Sequence, residues 1–443
     1  MSTSVIDSLL YKDQFGTPEM RKIFSDRTMV QNWLDVEASL AKVQSELDII
    51  PVEAAKEIEK NADVDLINFE ELKSEIDKTN HPFVPVITLL KKLCHDDYGE
   101  YIHWGATTQD IMDSGLILQI KSAHETILKN AHELHDLINT LAIKYKDVSV
   151  IGRTNGQHAL PITLGFKFAV WSHELERSIS RLVECEDRLF TGQFSGAVGT
   201  LASLENDGLT IQRLLMEELK LNVPKITWHS SRDSLVEFAS ILAILAGSIG
   251  SIANELYNLN KTETDEFYLR QTEDEIGSST MPHKKNPFNL MHVISLSRII
   301  KANIHEAYLT LESESERDAR VLSIEQDYIS RICCMTDASI VKLHSTLEKF
   351  ETIKKNIDKN LHLLGDLISS EKFMLKLAEK VGRQTAHNIV HEASMKSREE
   401  NNSLKEQLML YKEVNIHFNL NQLEDLLNPQ NYIGLSQWFV END

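Results

Sequence analysis

The stretch FASILAILAGSIGSIAN, residues 238–254, runs between Glu237 and Glu255 without a charged side chain. Whether it crosses a bilayer or packs inside a helical bundle decides the fold. A spanning helix needs ~20 predominantly apolar residues, and Ser240, Gly247, Ser248, Gly250 and Ser251 dilute this run. Leu242, Leu245, Ile249, Ile252 and Leu256 recur at threes and fours, the stripe of a helix facing a core. The reading is therefore a buried bundle helix inside a helical pattern at residues 235–268, with no membrane as partner.

Comparable patterns occupy residues 111–146, 162–189 and 288–311. In the second of these, Leu164, Phe168, Trp171, Leu175, Ile179 and Leu182 form one apolar face. An opening helical region covers 17–47, shorter patterns follow at 51–59 and 69–76, and Pro82 and Pro85 interrupt the chain just after His81. Nine prolines and 17 glycines in 443 residues are too few for many strands and turns, so the expected class is all-α. The patterns divide into an N-terminal helical domain (1–104), a central long-helix domain (105–356) and a C-terminal helical domain (357–443).

The chain carries 46 basic and 67 acidic side chains, a net charge of −21, which disfavours a nucleic-acid partner. Cys94, Cys185, Cys333 and Cys334 show no CxxC spacing and read as reduced, buried thiols. The first residues, MSTSVIDSLLYKDQFG, hold no basic segment followed by an apolar run, so a cytoplasmic protein is expected. His387 and His391 stand four apart, but no third ligand accompanies them and no metal is expected.

Four polar segments interrupt the helical patterns: HWGATTQD from His103, GRTNGQHALP from Gly152, TGQFSGAVGT from Thr191 and EIGSSTMPHKKNP from Glu275. The last offers a glycine, three hydroxyls, Lys284 and Asn286, a set suited to gripping an oxyanion beside a hydroxyl base. In the first, Thr108 or Asp110 equally suits a helix cap. In the second, Arg153, Thr154, Asn155, Gln157 and His158 crowd hydrogen-bonding groups more densely than capping explains.

Together these segments resemble the fumarase/aspartase superfamily. GSSTMPHKKNP matches the signature loop GSSxMPxKxNP at every fixed position, and the other segments follow in the same order. TPEMRKIFSD, SGAVGT, WHSSRDSLVEF, ESERDAR and GRQTAH are similar to the branch that contains adenylosuccinate lyase and 3-carboxy-cis,cis-muconate cycloisomerase. The resemblance implies a three-domain helical fold, a homotetramer with each active site shared between subunits, a small dicarboxylate substrate and no cofactor. It implies release of fumarate from an N-substituted aspartate through an aci-carboxylate, or alternatively lactonisation of a carboxymuconate. A non-catalytic descendant is a third reading, opposed by the intact loop.

By the same resemblance Ser278 is the base. Thr107, Thr108, Gln109, Thr154, Asn155, Gln157, Ser279, Lys284, Asn286 and Arg320 are the expected substrate contacts, with Arg317 a further possible anion contact. Where many relatives read RTHG this chain has Asn155, which cannot donate a proton near neutral pH; His158 is then the expected acid, with His81 second. Gln14, Phe15, Ser231 and Gln326 stand where adenylosuccinate lyases carry an Arg-Tyr pair, a glutamine and an arginine, which argues against an AMP-sized leaving group.

Overall fold

The computed structural model describes residues 4–270, 278, 280, 281 and 283–442. The elements that carry the argument are α1 (Asp26–Glu46), α2 (Val84–Leu93), α3 (Thr108–Lys144), β1 (Ser149–Thr154), β2 (Gln157–Thr163), α4 (Leu164–Leu189), α5 (Asp233–Leu259), β3 (Phe267–Leu269), α6 (Phe288–Leu309), α7 (Ala319–Leu347), β4 (Phe350–Thr352) and α8 (Arg383–Glu400). The class is all-α, and the periodic stretches become α3, α4, α5 and α6 with their ends moved.

Two expectations need correction. The pattern at 235–268 is helical only to Leu259; the chain then turns into β3, which pairs antiparallel with β4, Phe267 opposite Thr352. The polar segment at 152–161 is not a simple break between helices but the tip of the β1–β2 hairpin, with Thr154 opposite Gln157 and Arg153 opposite His158. Asn155 and Gly156 both have positive φ, 51° and 79°, as the two central residues of a tight hairpin turn require.

The chain packs as two compact units. One comprises Met1–His132, Arg177–Gly250 and His292–Val341, the other Glu133–Glu176, Ser251–Met291 and Lys342–Asp443. In the first, Trp33, Leu34, Phe83, Leu90 and Ile111 belong to one core cluster, with Trp33 and Phe83 edge to face at 5.6 Å. In the second, Phe373, Leu377, Ala386, Leu404, Leu408 and Leu423 close another.

Among the described residues α5 is long and apolar enough to cross a membrane, yet 72% of its most apolar window is buried in protein. Leu242, Leu245, Ile249 and Ile252 are fully buried, as the stripe predicts. The small residues that dilute the run allow close packing: a Cβ at position 250 would lie 2.5 Å from the Cβ of Ser297 on α6. Gly250→Ala is therefore expected to destabilise the protein, because overpacking of about 1–3 kcal/mol exceeds the helix propensity gained, about 1 kcal/mol. Thermal midpoints at fixed protein concentration test this, and Ser297→Gly added to Gly250→Ala should restore the wild-type value.

Candidate active site

The first unit supplies a helix N-terminus held by buried charges. Asp110, in the first turn of α3, is fully buried and its carboxylate must collect donors to offset desolvation. It accepts from the backbone N–H groups of Thr107 (3.0 Å), Ser195 (2.9 Å) and Gly196 (3.0 Å) and pairs with His229 Nε2 at 2.8 Å. That one side chain ties SGAVGT and WHSSRD to the start of α3.

One turn further, Asp113 accepts both terminal nitrogens of Arg232 at 2.9 Å, while Arg232 Nε and Nη2 donate to Glu325 of α7 at 2.6 and 2.5 Å. The Arg232 guanidinium lies over the Trp228 ring, 4.7 Å from its centroid. Its two carboxylate partners raise the Arg232 pKa against the pull of burial, whereas burial pushes the Glu325 carboxyl up in spite of Arg232. Gln109 turns inward as well: its amide donates to Asp113 Oδ2 (3.1 Å) and to the His229 carbonyl (2.9 Å). The structure thus uses the Gln109 amide as support beneath Thr107 and Thr108, which stay half-buried.

The two arginines expected as possible anion contacts have different partners. Arg320 is taken by Asp318, at 2.8 and 2.7 Å, and by Glu314 at 2.9 Å, and its guanidinium holds the Asp318 carboxyl well below the usual carboxylate range. Arg317 instead donates to Thr107 Oγ1 at 2.7 Å. Its sequence signal was weak because both arginines stand among acidic neighbours in ESERDAR. His81 caps α2: Nδ1 accepts from the N–H groups of Phe83 (3.2 Å) and Val84 (3.1 Å), which leaves Nε2 as the ring's proton-bearing nitrogen. Burial alone would lower the His103 pKa, but Glu37, 2.6 Å from its Nδ1, raises it.

The second unit supplies the hairpin and the signature segment. Thr154, Asn155 and Gln157 are exposed at the hairpin tip. Arg153 is ion-paired with Glu266, which also accepts from Asn360 Nδ2 at 3.0 Å. Across the strand pair His158 is half-buried, with a buried Nδ1 that has no hydrogen-bond partner. Burial first and Arg153 second push its pKa below the usual imidazole value, with Glu266 opposing. Ser278 is half-buried, and its Oγ accepts from the N–H groups of Met281 (3.1 Å) and Thr280 (3.4 Å). Two N–H groups thus donate to one hydroxyl oxygen, an arrangement that favours negative charge there. Lys284 is exposed and Asn286 half-buried just before α6, while Ser279 lies outside the described residues.

Thr107, Thr108, Gln109, Arg317, Arg320 and His81 therefore belong to the first unit. The hairpin residues, Ser278, Lys284 and Asn286 belong to the second.

The chain is similar to known proteins over nearly its whole length. A family model described as "Lyase" matches residues 13–300, and one described as "Adenylosuccinate lyase C-terminus" matches 366–442. The chain is 36% identical to an N-acetyl-S-(2-succino)cysteine lyase of Dickeya dadantii over 98% of its own length and 95% of that protein. It is 37% identical to an adenylosuccinate lyase of Methanocaldococcus jannaschii over 97% and 93%. The crystal structure of a 3-carboxy-cis,cis-muconate lactonizing enzyme from Pseudomonas putida superposes with a TM-score of 0.93 at 32% identity, covering 98% of each chain. With the fold, the signature segment and both family models in agreement, the chain belongs to the lyases of the fumarase/aspartase superfamily, in the branch shared by adenylosuccinate lyases and 3-carboxy-cis,cis-muconate cycloisomerases.

Proposed function

We propose that this lyase eliminates the substituent at C2 of a 2-substituted succinate and releases fumarate, and that the leaving atom is a thioether sulfur. Ser278 takes a proton from C3, and the electron pair moves into the adjacent carboxylate as an aci-carboxylate stabilised by Lys284 and the N–H groups of its segment. The pair then forms the C2–C3 double bond, and the C2–S bond breaks with its electrons on sulfur. Thr107, Thr108 and Arg317 hold the carboxylate of the succinyl unit, while Asn286, Thr154 and Gln157 contribute amide and hydroxyl contacts.

The observation that carries the choice of sulfur is the hairpin. Its tip holds Asn155 in a left-handed turn, and the pKa of the neighbouring His158 lies below the usual imidazole value. An amine leaving group would need His158 as its proton donor, and the lowered pKa works against the charged form of that imidazole. A weakly basic amine must acquire a proton as it leaves, whereas a thiol of pKa ~8.5 departs as its anion. The similarity to an N-acetyl-S-(2-succino)cysteine lyase supports the same reading. The amine reading, an N-substituted aspartate, is supported by the adenylosuccinate lyase relatives, but Gln14 and Phe15 stand where the resemblance expects an Arg-Tyr pair: the Gln14 carbonyl accepts from His292 Nε2 at 2.7 Å, and Phe15 stands edge-on to that ring.

We infer a homotetramer whose active sites are shared between subunits. Val183 on α4, Ile244 on α5, Met291, Tyr308 and Leu309 on α6 and Val341 on α7 are exposed apolar side chains that such an assembly would cover.

Fumarate release followed by ultraviolet absorbance tests the leaving group, with N-acetyl-S-(2-succino)cysteine, argininosuccinate, adenylosuccinate and 3-carboxy-cis,cis-muconate as substrates. The thioether is expected to give kcat/KM at least about tenfold above either amine. His158→Gln should keep thioether turnover within about tenfold, and the rate should not decline as pH rises past about 6.5, because no protonated imidazole is needed. Faster turnover of an amine, with a rate that falls over that pH range, would sink the sulfur assignment; consumption of the muconate alone would replace it with lactonisation.

A further inference from the structure

Glu266 stands one residue before β3 in the second unit, and it is buried. Both terminal nitrogens of Arg153 on β1 reach its carboxylate, Nη2 to Oε1 and Nη1 to Oε2, and Oε1 also accepts from Asn360 Nδ2 at 3.0 Å. The backbone fixes the same residue: the Glu266 N–H donates to the Leu259 carbonyl at 3.0 Å, and its carbonyl accepts from the Ile353 N–H at 2.8 Å. Asn356 Nδ2 donates to the carbonyl and the carboxylate of Asp265, both at 2.8 Å, and Asn360 Nδ2 to the Thr264 carbonyl at 2.7 Å. Glu266 is thus a rigid post, set by the end of α5, the residue after β4 and the helix Lys354–Leu361.

What the post holds is the hairpin. Arg153 lies directly opposite His158, and opposed residues of an antiparallel pair share one face. The register shifts between Ile151 and Arg153, and such an irregularity bends a strand and re-aims the side chains beyond it. Before the shift, Ile151 packs with Leu361 and Ile368, so apolar contact fixes the base of the hairpin. Past it come Arg153, Thr154 and the turn, where the ion pair is the anchor. A buried ion pair adds little net stability over an apolar pair of the same volume, whereas the arginine–carboxylate fork adds direction. Glu266 also precedes the strand from which the chain runs on to Ser278, nine residues after Leu269. One carboxylate therefore ties the hairpin to the strand that leads into the signature segment.

We propose that Glu266 is a positioning residue for the elimination: through Arg153 it sets the direction of the hairpin tip that carries Thr154, Asn155 and Gln157, without touching substrate itself. The inference rests on the reading of that tip as a set of substrate contacts. A contact misplaced by an ångström can cost about 10²-fold in rate, so the role is read in turnover rather than in stability.

Glu266→Gln keeps the shape and an oxygen for Asn360 but loses the charge that holds Arg153. With whichever of the four substrates the wild type turns over, kcat is expected to fall about 10–100-fold while KM changes less than about threefold, at a temperature where circular dichroism shows the variant folded. Arg153→Gln breaks the same link from the other side and serves if Glu266→Gln does not fold. The double variant Arg153→Gln/Glu266→Gln should lose less than the two single losses combined, because the pair acts as one unit. Histidine-ring NMR adds a readout that needs no turnover, with His158 assigned by His158→Gln. Arg153 and Glu266 act on His158 with opposite signs, so its titration midpoint should drop in Glu266→Gln and rise in Arg153→Gln. Wild-type kcat in folded Glu266→Gln, losses that simply combine in the double variant, or a His158 midpoint unmoved by either substitution would each overturn the proposal. Wild-type turnover of an amine or the muconate in place of the thioether would instead sink the leaving-group assignment, and the Glu266 comparison is then decided on that substrate.

Discussion

Arg232→Ala is expected to lower stability by about 3–5 kcal/mol, because it strands Asp113 and Glu325 as buried carboxylates facing each other without a counter-ion. Both carboxylates and the guanidinium are essentially inaccessible to water, so solvent cannot take over the missing partner. The loss has a pH signature whose sign follows from linkage. A carboxyl whose folded pKa is raised binds its proton more tightly in the native state, so its penalty grows as pH rises through the unfolded value and vanishes below it. Glu325 is already pushed up by burial with Arg232 present. Without Arg232 it rises further, so the deficit should be largest at neutral pH and shrink as pH falls toward about 5. Thermal midpoints of wild type and variant, at matched concentration across that range, provide the check. Arg232→Lys keeps the charge but loses the fork that serves two carboxylates at once, and should fall between them. A variant as stable as wild type at neutral pH would show that the cluster is not what holds α3 to α7.

Ser278→Ala is expected to reduce kcat by about 10²–10⁴ while leaving the fold intact. The serine Oγ receives N–H groups of Met281 and Thr280 and is half-buried, so its removal opens no core cavity and costs little stability. KM should change little, since the succinyl carboxylates are held by other groups and the lost interaction belongs to the transition state. Steady-state fumarate release with matched circular dichroism spectra gives the result. Retention of more than about a tenth of wild-type kcat would remove Ser278 from the role of base, since general-base contributions are larger than that.

The long helices were legible because their apolar residues repeat at helical spacing over several turns, and burial of α5 follows the stripe read from Leu242 to Leu256. The hairpin was not read, although its signal was present: Asn155-Gly156 is the dipeptide that favours a two-residue turn, and Val150 and Ile151 precede it. Val150 and Ile151 are too short an apolar run for periodicity to mark a strand. Asn155 has a conformational reason for its identity, since asparagine tolerates positive φ better than most residues. The buried cluster was illegible for another reason. Asp113, Arg232 and Glu325 are separated by about a hundred residues each, and only tertiary packing brings a charge of one stretch to another. The same limit applied to the arginines of ESERDAR, where spacing alone could not say that Arg320 would go to Asp318 and Arg317 to Thr107.

The composition of the two units bears on how the protein is made. Each gathers three stretches of chain, and the first is complete only at Val341 while the second waits for Asp443. At synthesis rates of roughly 5–20 residues per second, the ribosome needs tens of seconds to deliver residue 341. Until α7 is complete, the faces of α3 and α5 that meet it, at Ile120 and Leu242 against Ile329 and Ile332, stay uncovered, and helices made early must remain soluble beside one not yet translated. Nascent chains of this protein are thus natural clients for chaperones that shield exposed apolar surface, and a stop codon placed before residue 341 leaves neither unit able to close.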